Sequence, residues 1–161
     1  MKSEDIRRYV VTREDAHPYS PPAHKDTTNL LYLPKGALGS KQFEMVLGMP
    51  RRGGGGEPHF HKEAEQIVYV LAGHGETEIE GARLPIGPGT MIFHPPGQLH
   101  RELALSDDFQ VLVIYSPGIG VKDSRSFRVR GEEKRIKKVT KVNRRRKQSR
   151  RRKQEASADN S

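Results

Sequence analysis

Short apolar segments, each closed by turn residues, constrain the fold of this 161-residue chain more than any other feature. Between residues 29 and 118 they recur at close spacing, and no convincing amphipathic helix separates them. The segments are 29–33, 42–49, 66–71, 76–80, 90–93, 100–105 and 109–115. Short strands bounded by turn residues at this spacing are typical of an all-β sandwich or barrel.

This run of segments and its flanks predict three regions: an N-terminal arm at 1–27, a barrel at 28–120 and a basic, largely disordered tail at 121–161. Residues 6–12 suit an edge strand, whereas the prolines at 18, 21 and 22 argue against a regular element further along the arm. We expect the arm to wrap around the domain or a partner subunit. The four glycines at 53–56 predict a mobile loop, because no Lys-Ser/Thr pair or helix of a phosphate-binding loop follows them.

The positive charge of the chain is concentrated in the tail. Residues 122–161 hold 17 of the 29 Lys and Arg residues but only 5 of the 20 Asp and Glu residues, so the rest of the chain is mildly acidic. We therefore expect a polyanion, including non-specifically bound nucleic acid, to contact the tail. The chain has no cysteine, no long apolar run and no apolar leader. It is predicted to be cytoplasmic, without disulfides, thiolate metal sites or membrane spans.

The sequence His59-Phe60-His61 places two imidazoles on one face of an extended strand, because alternate side chains share a face. After a short turn, Glu65 or Gln66 returns to the same region on the next strand. His100 follows another strand and a Pro-Gly turn and is well placed to supply a third imidazole. Three neutral imidazoles and one oxygen ligand suit a single divalent transition metal such as Fe, Ni, Mn or Zn.

These segments resemble the two motifs of the cupins, a family of small β-barrels with the double-stranded β-helix, or jelly-roll, fold. The first motif, G-x5-H-x-H-x3-4-E-x6-G, runs from Gly53 through the two histidines to Gly73. The second, G-x5-P-x-G-x2-H-x3-N, runs from Gly89 to position 104. The resemblance covers residues 30–118 and implies an all-β, cupin-like barrel in which the three histidines bind one metal ion.

The chain departs from the family pattern at two positions. Counting back from Gly73 puts Gln66 where the family has its glutamate ligand, whereas counting forward from His61 reaches Glu65. Similar single-domain cupins carry H-x-H-x4-Q, so the resemblance favours Gln66 as the oxygen ligand. A neutral ligand leaves more positive charge on the ion, which then polarises an anionic or carbonyl oxygen more strongly. The second departure is Ala104, which replaces the motif's asparagine.

Glu102 shares the parity of His100, so its carboxylate is predicted to point into the barrel near the metal. There it would act as a catalytic general base or hydrogen-bond a substrate. A salt bridge to Arg51 or Arg101 at the barrel mouth is an equally open interpretation. The remaining histidines are assigned no ligand role: His94 is interpreted as structural, His74 as solvated in a turn, and His17 and His24 as parts of the arm without a functional signal.

Two functions are compatible with these features. The first is a metal-dependent enzyme, an isomerase, lyase or dioxygenase, acting on a small oxygen-rich substrate such as a sugar acid, another carboxylate or a phenolic compound. The second is a non-catalytic module that binds or senses a small ligand and whose tail contacts nucleic acid or an acidic partner. Outward-facing Ile67, Tyr69 and Leu71 leave apolar surface exposed, which predicts a homodimer.

Overall fold

The computed structural model describes residues 6–120 and the backbone of residues 128 and 129. Its strands are β1 (His17–Tyr19), β2 (His24–Leu33), β3 (Glu44–Gly56), β4 (His59–Phe60), β5 (Glu65–Ala72), β6 (Gly75–Ile79), β7 (Ala82–Ile86), β8 (Met91–His94), β9 (His100–Ala104), β10 (Gln110–Ser116) and β11 (Arg128–Val129), with one short 3₁₀ helix at Ala37–Gly39. They form one antiparallel sheet, and the all-β prediction is confirmed.

The sheet curls on itself because β3 belongs to two sets of strands. β3 pairs with β2 along most of its length and with β10 over its first five residues, and near its glycine-rich end it also pairs with β9. From β10 the sheet continues through β5 to β8, whereas from β9 it continues to β4 and β6. This arrangement brings β4, β5 and β9, which carry or adjoin the predicted ligands, around one interior.

Strand β5 shows how the sequence builds that interior. Gln66, Val68 and Val70 are buried, whereas Ile67 and Tyr69 between them are exposed. The main core consists of Val68, Val70, Ile86, Ile92, Ala104, Phe109 and Val111, and a smaller one of Leu31, Val46 and Tyr115. Because a strand has a period of two, a slip of one residue would turn the apolar set of β5 outward, so burial fixes the register.

The prediction of a mobile loop at residues 53–56 is wrong, because these glycines are the last four residues of β3. A Cβ on Gly54 would lie 2.5 Å from the carbonyl oxygen of Asp26, and one on Gly55 would collide with the carbonyl of Glu102. Gly55 also has a φ of 142°, a value that other residues rarely adopt. Glycine is therefore required where β3 passes between β2 and β9.

The arm is more regular than the sequence predicts. Pro18 lies in the middle of β1, an edge strand in which a missing N–H is tolerated. β2 begins at His24, so the predicted boundary at residue 28 falls inside a strand. The predicted edge strand at 6–12 is wrong, because Tyr9 and Ile6 close a helical turn there through a backbone hydrogen bond of 2.9 Å. β7 was not predicted, since four of its five residues are exposed and no alternation marks it.

The predicted disorder and charge-driven binding of the tail fall mostly outside the described residues. Within 121–161, the backbone of Arg128 and Val129 pairs with β4 as β11. In the part of the chain that the structure describes, no helix has both the length and the apolar character needed to cross a membrane.

Candidate metal centre

Three histidines meet in the interior of the sheet. His59 in β4 is the cross-strand partner of His100 in β9, and His61 follows β4 directly. The ring centroids are 4.7 Å apart for His59 and His100, 5.1 Å for His59 and His61, and 5.6 Å for His61 and His100. All three side chains are buried, and one nitrogen of each lies within 4.8 Å of the other two. This spacing is close to that of ligands around one ion, which imidazole nitrogens bind at about 2.0–2.1 Å for zinc.

Backbone carbonyls fix the orientation of two of these rings. Nδ1 of His59 lies 2.8 Å from the carbonyl oxygen of Glu57, and Nδ1 of His100 lies 2.9 Å from that of Gln98. Because a carbonyl oxygen only accepts, each Nδ1 carries the proton and each Nε2 carries the lone pair. Metal-binding histidines are commonly held in one tautomer by such a partner.

The charge state of the rings also suits a cation. Burial, together with the neighbouring His100 and His61, holds the pKa of His59 well below its ordinary value. Burial likewise lowers the pKa of His100 to about 4. Both rings are therefore neutral at neutral pH, as imidazoles must be to bind a metal.

Gln66 reaches the cluster from β5, whereas Glu65 does not. The side chain of Gln66 is buried, and its Oε1 lies 3.0 Å from Nε2 of His100. Glu65, one residue earlier, is exposed. Because Nε2 of His100 is an acceptor, the amide of Gln66 either donates its NH2 group to that nitrogen or shares a cation with it through Oε1. Of the two alternatives left by the sequence, the structure brings Gln66 to the histidines.

Glu102 lies two residues beyond His100 on β9 and borders the same interior. Its Oε1 accepts hydrogen bonds from Nε2 of His94 at 3.0 Å and from the Thr77 hydroxyl at 3.3 Å. Burial alone would raise the pKa of Glu102, but the hydrogen bond from His94 and the nearby His100 lower it to about 2. The carboxylate is therefore ionised at neutral pH.

The salt bridge considered at the barrel mouth is not formed. Arg101 pairs instead with Glu78, at 2.7 Å. Among the described residues, Glu102 makes no ion pair with Arg51 either. Its charged neighbours are histidines of the interior, so Glu102 belongs to the site and not to the rim.

His94, which the sequence analysis interprets as structural, has an effect on the site that the sequence did not reveal. Its Nδ1 lies 2.9 Å from Oε1 of Gln98, and its Nε2 donates to Glu102. Its ring stacks on that of His100, with centroids 3.9 Å apart and planes at 11°. Burial alone would lower the pKa of His94, but the bond to Glu102 outweighs it and raises that pKa. One side chain therefore orients both the predicted base and a predicted ligand.

His24 is the histidine that the sequence analysis overlooked. It is the first residue of β2, and its ring centroid lies 5.7 Å from that of His59. No local pattern marks it, because it reaches the site only through the pairing of β2 with β3.

One histidine of the cluster, His59, shares a cavity of about 60 Å³ with His24, Gln66 and Glu102. Its polar lining consists of Tyr19, His24, Thr27, Asn29, His59, Gln66, Glu102 and Tyr115. Among the described residues, no lysine or arginine lines it. This volume holds several water molecules or part of a small organic ligand.

The comparison with protein families agrees with this geometry, since residues 46–115 match the model of the cupin domain. The chain contains a cupin domain. The resemblance inferred from the two motifs is thereby confirmed, and the matched residues hold all three clustered histidines. The cupin fold together with this cluster indicates a site for a divalent metal ion.

Solved structures with the cupin fold cover most of this domain. KdgF from Halomonas sp. is 24% identical with a TM-score of 0.58, and the match covers 66% of this chain and 93% of that chain. The polyketide cyclase RemF from Streptomyces resistomycificus is 27% identical with a TM-score of 0.58, over 67% of this chain and 78% of that chain.

The curated relatives match this chain over only part of their own length. The dimethylsulfoniopropionate lyase DddQ of Ruegeria pomeroyi is 38% identical over 58 residues, which are 35% of this chain and 29% of the lyase. The chain spans between 29% and 55% of the length of the curated relatives it matches.

Proposed function

We propose that this protein is a metal-dependent cupin enzyme acting on a small oxygen-rich molecule, such as a sugar acid, another carboxylate or a phenolic compound. The observation that carries the proposal is the convergence of His59, His61 and His100, with one nitrogen of each within 4.8 Å of the others. Gln66 and Glu102 line a cavity together with His59. Two similar proteins bear the names of enzymes, a lyase and a polyketide cyclase, which supports catalysis over binding alone.

The three histidines and Gln66 would hold one divalent ion, for which Fe, Ni, Mn and Zn are the proposed identities. Imidazole nitrogens with an amide oxygen are a donor set that such ions accept. When bound, the ion supplies Lewis-acid polarisation of a substrate oxygen. Because all four ligands are neutral, none of them reduces the positive charge that acts on that oxygen.

Glu102 is the proposed catalytic base. The hydrogen bonds from His94 and Thr77 both go to Oε1, so Oε2 is the atom that takes a proton from the substrate. Its low pKa restricts it to substrate protons whose acidity is raised when the neighbouring oxygen is polarised. His94 holds the carboxylate in place during this transfer.

The metal site is tested first by metal analysis of the full-length protein and of His61→Ala. The wild type is expected to contain one ion per chain and the variant close to none, while circular dichroism shows that the variant stays folded because strand burial supplies most of the core. His74→Ala, which removes an exposed histidine, is the matched control and should keep its ion. Equal metal content in His61→Ala and the wild type would show that His61 does not bind the ion and that the proposed site is wrong.

Catalysis is tested by screening sugar acids and phenolic acids for turnover by the loaded protein. For a compound that is converted, Glu102→Gln should keep the metal but lower kcat by about 100-fold or more, which is typical for the loss of a general base. A Glu102→Gln variant with the wild-type kcat would show that Glu102 is not the general base. Full metal loading without turnover of any compound would favour the binding or sensing function.

A further inference from the structure

His24 stands directly against the end of β3 because its strand partner there is a glycine. It is paired with Gly56, the last residue of β3. A Cβ at position 56 would lie 2.8 Å from Nε2 of His24 and 3.1 Å from its Cε1. The backbone of Gly56 has no positive φ, in contrast to Gly55, so conformation alone does not require glycine there. The His24 ring instead fills the space that a side chain at position 56 would occupy.

The orientation of this ring is fixed by the arm. Nδ1 of His24 lies 2.9 Å from the carbonyl oxygen of Pro22, so Nδ1 carries the proton and donates it. Nε2 is then the hydrogen-bond acceptor of the ring. The half-buried side chain lines the cavity together with His59, Gln66 and Glu102.

His24 lies beside the ligand cluster and not within it. The nitrogens of His59, His61 and His100 converge within 4.8 Å, and those of His24 are not part of that group. Its ring is nevertheless only 5.7 Å from that of His59. A molecule that binds at the cluster and fills the cavity lined by His59 and His24 would therefore lie beside the His24 ring.

We propose that His24 is a specificity-determining residue that accepts a hydrogen bond from the bound substrate through Nε2. This inference rests on the proposed function, because it takes the histidine cluster as the anchor of the substrate. It narrows the substrate class to molecules with a metal-binding oxygen and an O–H or N–H donor a few atoms away, such as α-hydroxy acids, hydroxamates and catechols. Because the described lining has no lysine or arginine, a second anionic group on the substrate would find no cationic partner there.

The test uses the full-length protein loaded with Co²⁺ and acetohydroxamate as the probe, with binding followed by the visible absorption of the cobalt. His24→Ala should keep its cobalt and bind the probe about tenfold more weakly, the effect of losing one hydrogen bond. His24→Gln places an acceptor near the former Nε2 and should recover most of the affinity. His17→Ala, which removes an exposed histidine of the same arm, is the matched control.

Gly56→Ala provides a second, independent test because it keeps His24 but displaces its ring. It should weaken probe binding as much as His24→Ala does, and the double variant should be no weaker than either single one, since both remove the same contact. Unchanged probe affinity in His24→Ala with full cobalt content would overturn the proposal. Loss of cobalt from His24→Ala would also overturn it, because His24 would then be a metal ligand.

Two wild-type results separate this inference from the function on which it rests. If the wild type retains no cobalt, the metal site itself fails and the role of His24 fails with it. If it retains cobalt but does not bind acetohydroxamate, the metal site stands and the contact proposed for His24 is overturned.

Discussion

The inward and outward faces of β5 belong to the same eight residues but have different surroundings. On the inward face, Gln66 reaches the histidine cluster, and Val68 and Val70 are completely buried. On the outward face, Ile67 and Tyr69 are 37% and 41% exposed although they are as apolar as the core. Strand parity, and not side-chain chemistry, therefore decides which residues of β5 enter the site and the core.

The outward face continues onto β8. Phe93 lies opposite Ile67 and Met91 opposite Tyr69, and both β8 residues are exposed. None of these four side chains is charged, so the surface that complements them best is another uncharged, largely apolar surface. We propose that a second copy of the chain covers this face and forms a homodimer with a twofold axis.

The largest expected effect comes from introducing a charge at adjacent positions of opposite parity. Val68→Asp would bury an unpaired carboxylate, at a cost of about 3–5 kcal/mol, which is a large share of a typical stability of about 5–15 kcal/mol. Ile67→Asp places the same group in solvent. Thermal unfolding followed by circular dichroism should show Val68→Asp unfolded or strongly destabilised and Ile67→Asp folded. Equal melting temperatures would contradict the alternation of β5.

The next effect concerns the metal ligand. Gln66→Ala should weaken metal retention by at least about tenfold, or roughly 1.4 kcal/mol, because an inward oxygen donor is lost. Glu65→Ala removes an outward carboxylate and serves as the matched variant. Metal content after dialysis against a chelator ranks the two proteins. The opposite order would mean that Glu65 is the ligand despite its exposure.

A smaller effect, on association and not on folding, is expected on the outward face. Tyr69→Arg should convert a dimer into a monomer in sedimentation velocity, because two like charges would face each other near the twofold axis. Leu84→Arg makes the same change at another exposed apolar position, on β7, and should stay dimeric. A monomeric wild type, or a dimeric Tyr69→Arg, would show that this face has another role.

The smallest effect on the fold is expected from the tail, whose predicted properties depend on charge and not on strand alternation. Truncation after residue 130 should change the melting temperature by less than about 4 °C, because few apolar residues are removed. It should abolish most of the affinity for DNA at low salt, an affinity that falls steeply with salt in the full-length protein. Unfolding of the truncated chain would show that the tail packs on the domain.

Local spacing was enough to predict most of the central strands, with the exception of β7, and the two cupin motifs, whereas the family resemblance was needed to favour Gln66 over Glu65. The strands and motifs depend on a period of two residues or on a few positions within one segment, which the chain displays directly. The same rule placed Ile67 and Tyr69 on the surface. Parity did not identify the partners of an inward group, and for Glu102 it left a general base and a salt bridge equally open.

Only the tertiary structure decided which distant residues meet. His94 holds Glu102 because β8 and β9 both adjoin the interior, and neither residue's local sequence specifies the other. His24 reaches His59 because β2 pairs with the end of β3, a contact that Gly56 makes possible by having no side chain. The glycines at 53–56 resembled a loop for the same reason: their requirement for close backbone approach becomes visible only when β2 and β9 lie on either side of them.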